Sequence, residues 1–307
     1  MADDRLAEQI AALERKLAGL EERLAENQQK TTWDITGGLD WLRGHLMREV
    51  DRTRSRRDVP DADLVKLAAY RRSPEYATLF KNPRPLVSVV ISTYNRAQLL
   101  VERSLDSVLR QDYDRIEAIV VDDASTDDTE RRVRALGDAR ITFVRMIDHS
   151  LPKELSAGVE ARNLGLAMAT GDFITHLDDD DEFTTDRVGK LLSFAQQERA
   201  EFVWHPFWWQ EVAGQEWAIN DAPTMELANA TTGSVFYIGW LKRYPWDPLS
   251  VLRYEQPDDW ALFRLLRDMG VVMKRYPEPL LRHYKEGQNP RWSESASSPS
   301  GNDQPAQ

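Results

Sequence analysis

Between residues 86 and 177 the chain repeats one alternation, a short apolar β-branched run followed by a stretch of helical periodicity. The runs are residues 86–91, 116–121, 141–144 and 173–177, and the helical patterns fall on 97–111, 127–136 and 157–169. A run that is apolar at every position has no face to offer water, so it belongs in a strand covered on both sides. Strands alternating with helices imply an α/β fold, a Rossmann-like, mostly parallel central sheet flanked by helices. Ligands of such sheets collect beyond the carboxyl ends of the strands. Polar clusters lie at those ends in this chain.

The first strand ends in Ser92-Thr93-Tyr94-Asn95-Arg96 and the second in Asp122-Asp123-Ala124-Ser125-Thr126-Asp127. Ser, Thr and Asp are ordinary helix N-caps, which is enough to explain residues 125–127. Asp123 follows directly on an apolar strand, at a place suited to a nucleotide's base or ribose. The fourth run ends in Asp178-Asp179-Asp180-Asp181-Glu182. Adjacent carboxylates at the end of a buried strand repel one another unless a cation or solvent relieves them. Hard oxygen donors suit Mn²⁺ or Mg²⁺. Asp178 and Asp180 project alike if the segment stays extended, and an exposed acidic loop is the plain alternative. A third cluster, Pro257-Asp258-Asp259-Trp260, opens a helical stretch with acids in its first turn. Dipole compensation accounts for such acids; a carboxylate base beside an aromatic wall is the functional reading. His283 is a candidate metal ligand, although a lone histidine is commonly structural.

The rest of the chain divides by composition. Leu6, Ile10, Leu13, Leu17, Leu20 and Leu24 form a heptad seam. Residues 1–30 are therefore expected to be a coiled-coil helix that makes a homo-oligomer through residues 6–24, or else a helix packed on its own domain. Residues 31–85 read as a helical connector with an arginine-rich run at Arg48, Arg52, Arg54, Arg56 and Arg57. Residues 86–292 are expected to form the α/β domain, and the Ser/Pro/Gln-rich residues 293–307 are expected to be a disordered tail. The net charge of −11 argues against a nucleic-acid partner. The absence of cysteine excludes disulfides and thiolate chemistry. No signal-like leader and no membrane-spanning run are expected, which points to a cytoplasmic protein, at most peripheral at the inner face of the membrane.

Taken in order, the segments VSVVISTYNR, IVVDDASTDDT, SAGVEARNLGLAMATGDFITHLDDDDEF, GSVFYIGWLKRYPWDP and PDDWALFRLL resemble the motif series of the inverting glycosyltransferase family 2, with its GT-A fold. The resemblance covers roughly residues 86–285 and leaves out the first 85. It implies a nucleoside-diphosphate sugar donor, with uridine favoured, and a glycan, lipid-linked or small-molecule acceptor. It further implies that Ser92, Thr93, Tyr94, Asn95, Asp123, Arg162 and Asp179 serve the nucleotide. Asp178, Asp180 and His283 would serve the metal. Asp259, with Asp258 beside it, would be the catalytic base. The chain has Asp258-Asp259 where the family usually has Glu-Asp, and Asp179 where a small residue is common.

Trp204, Phe207, Trp208, Trp209, Trp217, Trp240, Trp246 and Trp260 crowd the C-terminal half. Flat rings with a polar edge suit sugar C–H faces, yet most of these are expected in the core. Trp240, Trp246 and Trp260 are the acceptor candidates because they adjoin the loop and base motifs. Two other functions remain: a non-catalytic oligomeric scaffold that binds nucleotide sugars, and a sugar-nucleotide pyrophosphorylase. The latter is disfavoured because the loop STYNRAQ has no glycine.

Overall fold

In a computed structural model the described residues are 59–148, 158–210, 216–225, 229–250 and 257–284. All belong to the second of the two units into which the chain divides, residues 56–307. The heptad seam over 6–24, the arginine-rich run and the tail over 293–307 lie outside the described residues.

The predicted runs form strands β1 (Val87–Thr93), β2 (Ile116–Asp122), β3 (Ile141–Arg145) and β4 (Phe173–Asp178). The helical patterns form α3 (residues 97–109), α4 (Thr129–Ala135) and α5 (Val159–Met168), after two earlier helices, α1 (Asp61–Arg71) and α2 (Pro74–Leu79). The chain continues through β5 (Glu182–Phe183), α6 (Arg187–Glu198), β6 (Phe202–Trp204), β7 (Phe207–Trp209), β8 (Ala218–Asn220) and β9 (Val235–Ile238). It closes with α7 (Asp258–Asp268), β10 (Met273–Arg275) and β11 (Leu281–His283).

Seven strands form the main sheet in the order β10-β6-β9-β4-β1-β2-β3. All its pairs are parallel except those of β9, which runs against both β4 and β6. The inner strands are buried along nearly their whole length, as their uninterrupted apolar sequences require. A smaller sheet, β5-β11-β7-β8, brings β11 beside the turn that follows β4. No helix among the described residues is long and apolar enough to cross a membrane.

Residues ahead of β1 are part of this core. Leu67, Tyr76, Leu79 and Phe80 are buried, and Ser73 caps α2 by accepting the Tyr76 N–H at 3.2 Å. Arg71 makes a forked pair with the buried Glu201 carboxylate at 2.7 and 2.6 Å. Glu201 also accepts the Val272 N–H, so its charge is fully engaged.

The middle of α3, Leu100–Leu105, is wound as π-helix. A π turn shifts the facing of every later residue in a helix, and such turns cluster at functional sites. Helix α5 lies over β1 and β2 because Gly165 offers no side chain there. A Cβ at Gly165 would stand 2.5 Å from Val90 Cγ1 and 3.2 Å from Val121 Cγ2. Gly165→Ala should therefore force α5 off the sheet and destabilise the domain by about 1–3 kcal/mol. Thermal unfolding of the variant measures this as a lowered Tm; an unchanged Tm would mean that α5 has room to spare.

Candidate active site

Parallel register sets the carboxyl ends of β1, β2 and β4 side by side, with Ser92 opposite Asp178 and Thr93 opposite Asp122. The Asp123 N–H donates to the Thr93 carbonyl at 2.9 Å, extending the ladder into the loop, and Asp123 is 7% exposed. Asn95 has positive φ (52°), a conformation that asparagine tolerates better than most residues. Its N–H donates to Ser125 Oγ, and its side-chain oxygen accepts the Thr126 and Asp127 N–H groups. Asn95 thus ties the loop after β1 to the loop after β2.

The turn after β4 is a dense set of carboxylates. Asp179, Asp180 and Asp181 are 5%, 6% and 0% exposed. Asp179 accepts from Thr93 Oγ1 at 2.7 Å and from the Tyr94 N–H at 3.3 Å. One Arg96 nitrogen, Nη1, donates to both Asp179 Oδ1 and Asp180 Oδ2, each at 2.8 Å. Burial, aided by Asp181, still pushes the Asp180 carboxyl up to about 7 despite Arg96.

The backbone of this turn is held from below by one face of α3. Arg103 donates to the Asp180 carbonyl at 2.8 Å. Ser104 Oγ lies 3.0 and 2.9 Å from the carbonyls of Asp178 and Asp181. Ser107 Oγ accepts the Phe183 N–H, and Gln111 donates to the Thr184 carbonyl while accepting the Val188 N–H. The π turn lies at the start of this face and includes Arg103 and Ser104.

His283, at the end of β11, bonds the buried Asp181 carboxylate at 2.9 Å through Nδ1, and the Tyr284 N–H donates to the same group. Burial works to lower the imidazole pKa, but Asp181 outweighs it and lifts His283 to about 9. The Arg103 guanidinium stacks on the Tyr284 ring, 3.7 Å from its centroid. Trp209 of β7 is the register neighbour of His283.

Arg162, 7% exposed on α5, bridges two clusters that are far apart in sequence. It donates to Asp258 at 2.6 Å and stands 3.8 Å from Asp178. Asp259 is adjacent at the start of α7, where its Oδ1 accepts the Trp260 N–H at 2.6 Å. Burial first, and Asp258 second, push Asp259 up to about 7.

The three acceptor candidates occupy different places. Trp260 is half-buried next to Asp259. Trp246 is 1% exposed, packed on His176 and Phe263 with the Arg162 guanidinium over its ring. Trp240 follows β9, whose end pairs with the start of β4, so it lies at the opposite end of the sheet from Asp178 and stacks on Tyr70. Ser92 sits beneath Gly158, where α5 begins.

Sequence reasoning did not single out Arg96, Arg103, Ser104 or Asp181. Arg96 and Asp181 stood inside motifs already noticed, whereas Arg103 and Ser104 are ordinary helix residues until the π turn aims them. Among the described residues no three acidic or histidine side chains are arranged to hold a metal ion.

Residues 88–256, more than half of the chain, match the family described as Glycosyl transferase family 2. WcaA of Escherichia coli (strain K12), named for colanic acid biosynthesis, is 41% identical over 116 residues, 37% of this chain and 39% of that protein. The Escherichia coli UDP-Glc:alpha-D-GlcNAc-diphosphoundecaprenol beta-1,3-glucosyltransferase WfaP is 31% identical over 123 residues, 40% of this chain and 46% of that protein. The chain thus spans less than half the length of these curated relatives. Staphylococcus aureus TarS 1–349, solved in complex with UDP-GlcNAc, shares the fold with a TM-score of 0.53 at 16% identity, over 66% of this chain and 59% of that one. With the family match running from β1 past β9, through the strand ends that carry the acidic turn, this chain belongs to glycosyl transferase family 2.

Proposed function

We propose that the chain transfers a sugar from a UDP-sugar to the hydroxyl of a glycan or lipid-linked acceptor, inverting the anomeric carbon in a single displacement. The observation that carries this reading is the Arg162 bridge. One buried guanidinium joins the acidic turn, suited to the leaving diphosphate, to the start of α7, suited to the attacking hydroxyl. The name of the relative WfaP, with its UDP-Glc donor and diphosphoundecaprenol-linked acceptor, supports the donor and acceptor classes.

Ser92, Thr93, Tyr94 and Asp123 line the strand ends and serve the nucleoside, while Asn95 holds their two loops together. Asp178, Asp180 and His283, which do not stand as a ready metal site in this structure, would hold a divalent cation, Mn²⁺ or Mg²⁺, with His283 giving up its proton to do so. Carboxylate and imidazole donors suit such an ion, and the raised Asp180 carboxyl is a group whose charged form a cation would favour. When bound, the cation would offset the charge growing on the departing diphosphate.

Asp259 accepts the proton of the attacking hydroxyl. A base works best with its pKa near the operating pH, and burial beside Asp258 brings Asp259 to about 7. Arg162 keeps Asp258 paired, leaving Asp259 as the proton acceptor. Trp260, next to the base, is the tryptophan best placed to meet the acceptor's apolar face.

Calorimetric titration with UDP, with and without Mn²⁺, tests the donor site: binding should require Mn²⁺ and vanish in Asp180→Ala. Failure of UDP, GDP and dTDP alike to bind would sink the transferase reading. Asp259→Asn should lower the transfer rate about 10²–10⁴-fold while leaving UDP affinity unchanged. Because Asp259 works deprotonated, the wild-type rate at saturating Mn²⁺ should climb as pH rises through about 7 and level off above it. A rate flat from pH 5 to 8 would remove Asp259 from the base role, and retained anomeric configuration in the product would remove the single displacement.

A further inference from the structure

The residues around the acidic turn are fixed to different degrees. Its backbone is clamped by Arg103, Ser104 and Ser107 of α3 and by Gln111 just beyond it. Asp181 is tied to His283 and to the Tyr284 N–H. Arg96 is the more exposed member of its ion pairs. It precedes the first helical residue of α3 with non-helical dihedrals (φ −136°, ψ 39°). Its side chain is 33% exposed, against 7% and 9% for the Asp179 and Asp180 side chains that it pairs.

The two carboxylates depend on Arg96 unequally. Without it, Asp179 keeps the Thr93 hydroxyl and the Tyr94 N–H. Asp180 keeps no hydrogen-bonding side chain on its carboxylate among the described residues, although the His283 charge still acts on it and its carbonyl stays on Arg103. Arg96 therefore occupies the carboxylate that a divalent cation would need. A guanidinium also matches phosphate oxygens in the same forked geometry with which it meets carboxylates.

We propose that Arg96 is a place-holding cation: it neutralises Asp179 and Asp180 in the ligand-free protein, yields Asp180 when a divalent cation enters, and turns its guanidinium to the donor's diphosphate. This rests on the reading above, that the site takes a nucleoside diphosphate with a divalent cation. It makes Arg96 a positioning residue that lets the two ligands help each other. The cation frees the guanidinium for the diphosphate, and the diphosphate keeps the guanidinium away from the cation's ligand. A permanent structural ion pair would do neither.

The test is Mn²⁺ binding to the full chain at pH 8 without nucleotide, read from the electron paramagnetic resonance signal of free Mn²⁺, followed by UDP titration at saturating Mn²⁺. Loss of a charged hydrogen bond that competes for Asp180 should let Arg96→Gln bind Mn²⁺ about tenfold more tightly than wild type. The same variant should bind UDP about tenfold more weakly, for want of the guanidinium. Arg96→Lys keeps one positive charge without the fork and should fall between the two in both titrations. Should Arg96→Gln fail to fold by circular dichroism, Arg96→Lys carries the comparison in the same direction.

Mn²⁺ affinity in the variant equal to or below that of wild type overturns the place-holding role, and equal UDP affinity overturns the turn to the diphosphate. A wild type that binds Mn²⁺ but none of UDP, GDP and dTDP overturns the transferase reading and the diphosphate half. The Mn²⁺ comparison then decides the place-holding half by itself. No Mn²⁺ binding by any form overturns both.

Discussion

Asp179, Asp180 and Asp181 are held almost out of water at the end of a buried strand, next to the partly exposed Asp178. Removing a carboxylate from water costs several kcal/mol unless partners replace the lost hydration. The surrounding elements supply those partners in two distinct ways. Helix α3 fixes the peptide backbone of the turn through uncharged hydrogen bonds and one arginine. Arg96, Arg162 and His283 then meet the side-chain charges from three directions. The balance is incomplete, as the raised carboxyl of Asp180 shows. The turn therefore combines a rigid backbone with carboxylates whose charge is incompletely balanced.

The same turn joins the parts of the domain. Thr93 and Tyr94 fasten β1 to it, and His283 fastens β11 to it. Helix α5 contributes two adjacent residues with complementary tasks. Arg162 reaches Asp178 and Asp258, while Asn163 exchanges two hydrogen bonds with the backbone of Trp246, both at 2.9 Å. The segment after β9 is thereby set against α5, and Trp246 packs under Arg162 and against Phe263 of α7. The core thus sets the position of Asp259 relative to the acidic turn through packed side chains.

Helix α3 illustrates how a local irregularity redirects side chains. A regular α-helix would have aimed residues after Leu100 along a different azimuth. With the π turn, Arg103 reaches both the Asp180 carbonyl and the Tyr284 ring, and Ser104 reaches two carbonyls of the turn. Buried polar groups held this completely act as a rigid frame.

The α/β class, the four parallel strands and the helices between them were legible in the sequence, because an uninterrupted apolar run has one way to avoid water and its polar terminus falls at the carboxyl edge by topology. The acidic turn and the acids opening α7 were legible for the same reason, as charge clusters set against apolar neighbours. Which of Asp178, Asp179, Asp180 and Asp181 does what was not. Adjacent aspartates are chemically identical, and their roles are assigned by partners distant in sequence, such as Arg96, Ser104, His283 and Tyr284. Nor could the sequence tell that Trp246 is enclosed and that Trp240 lies at the far end of the sheet from Asp178, since a tryptophan's surroundings come from strand order. Hydrophobic periodicity is a property of neighbouring residues and is written in the chain, whereas the pairing of a buried charge is a property of space. The sequence by itself determined that carboxylates would gather at this edge; tertiary structure alone decided which cation each would meet.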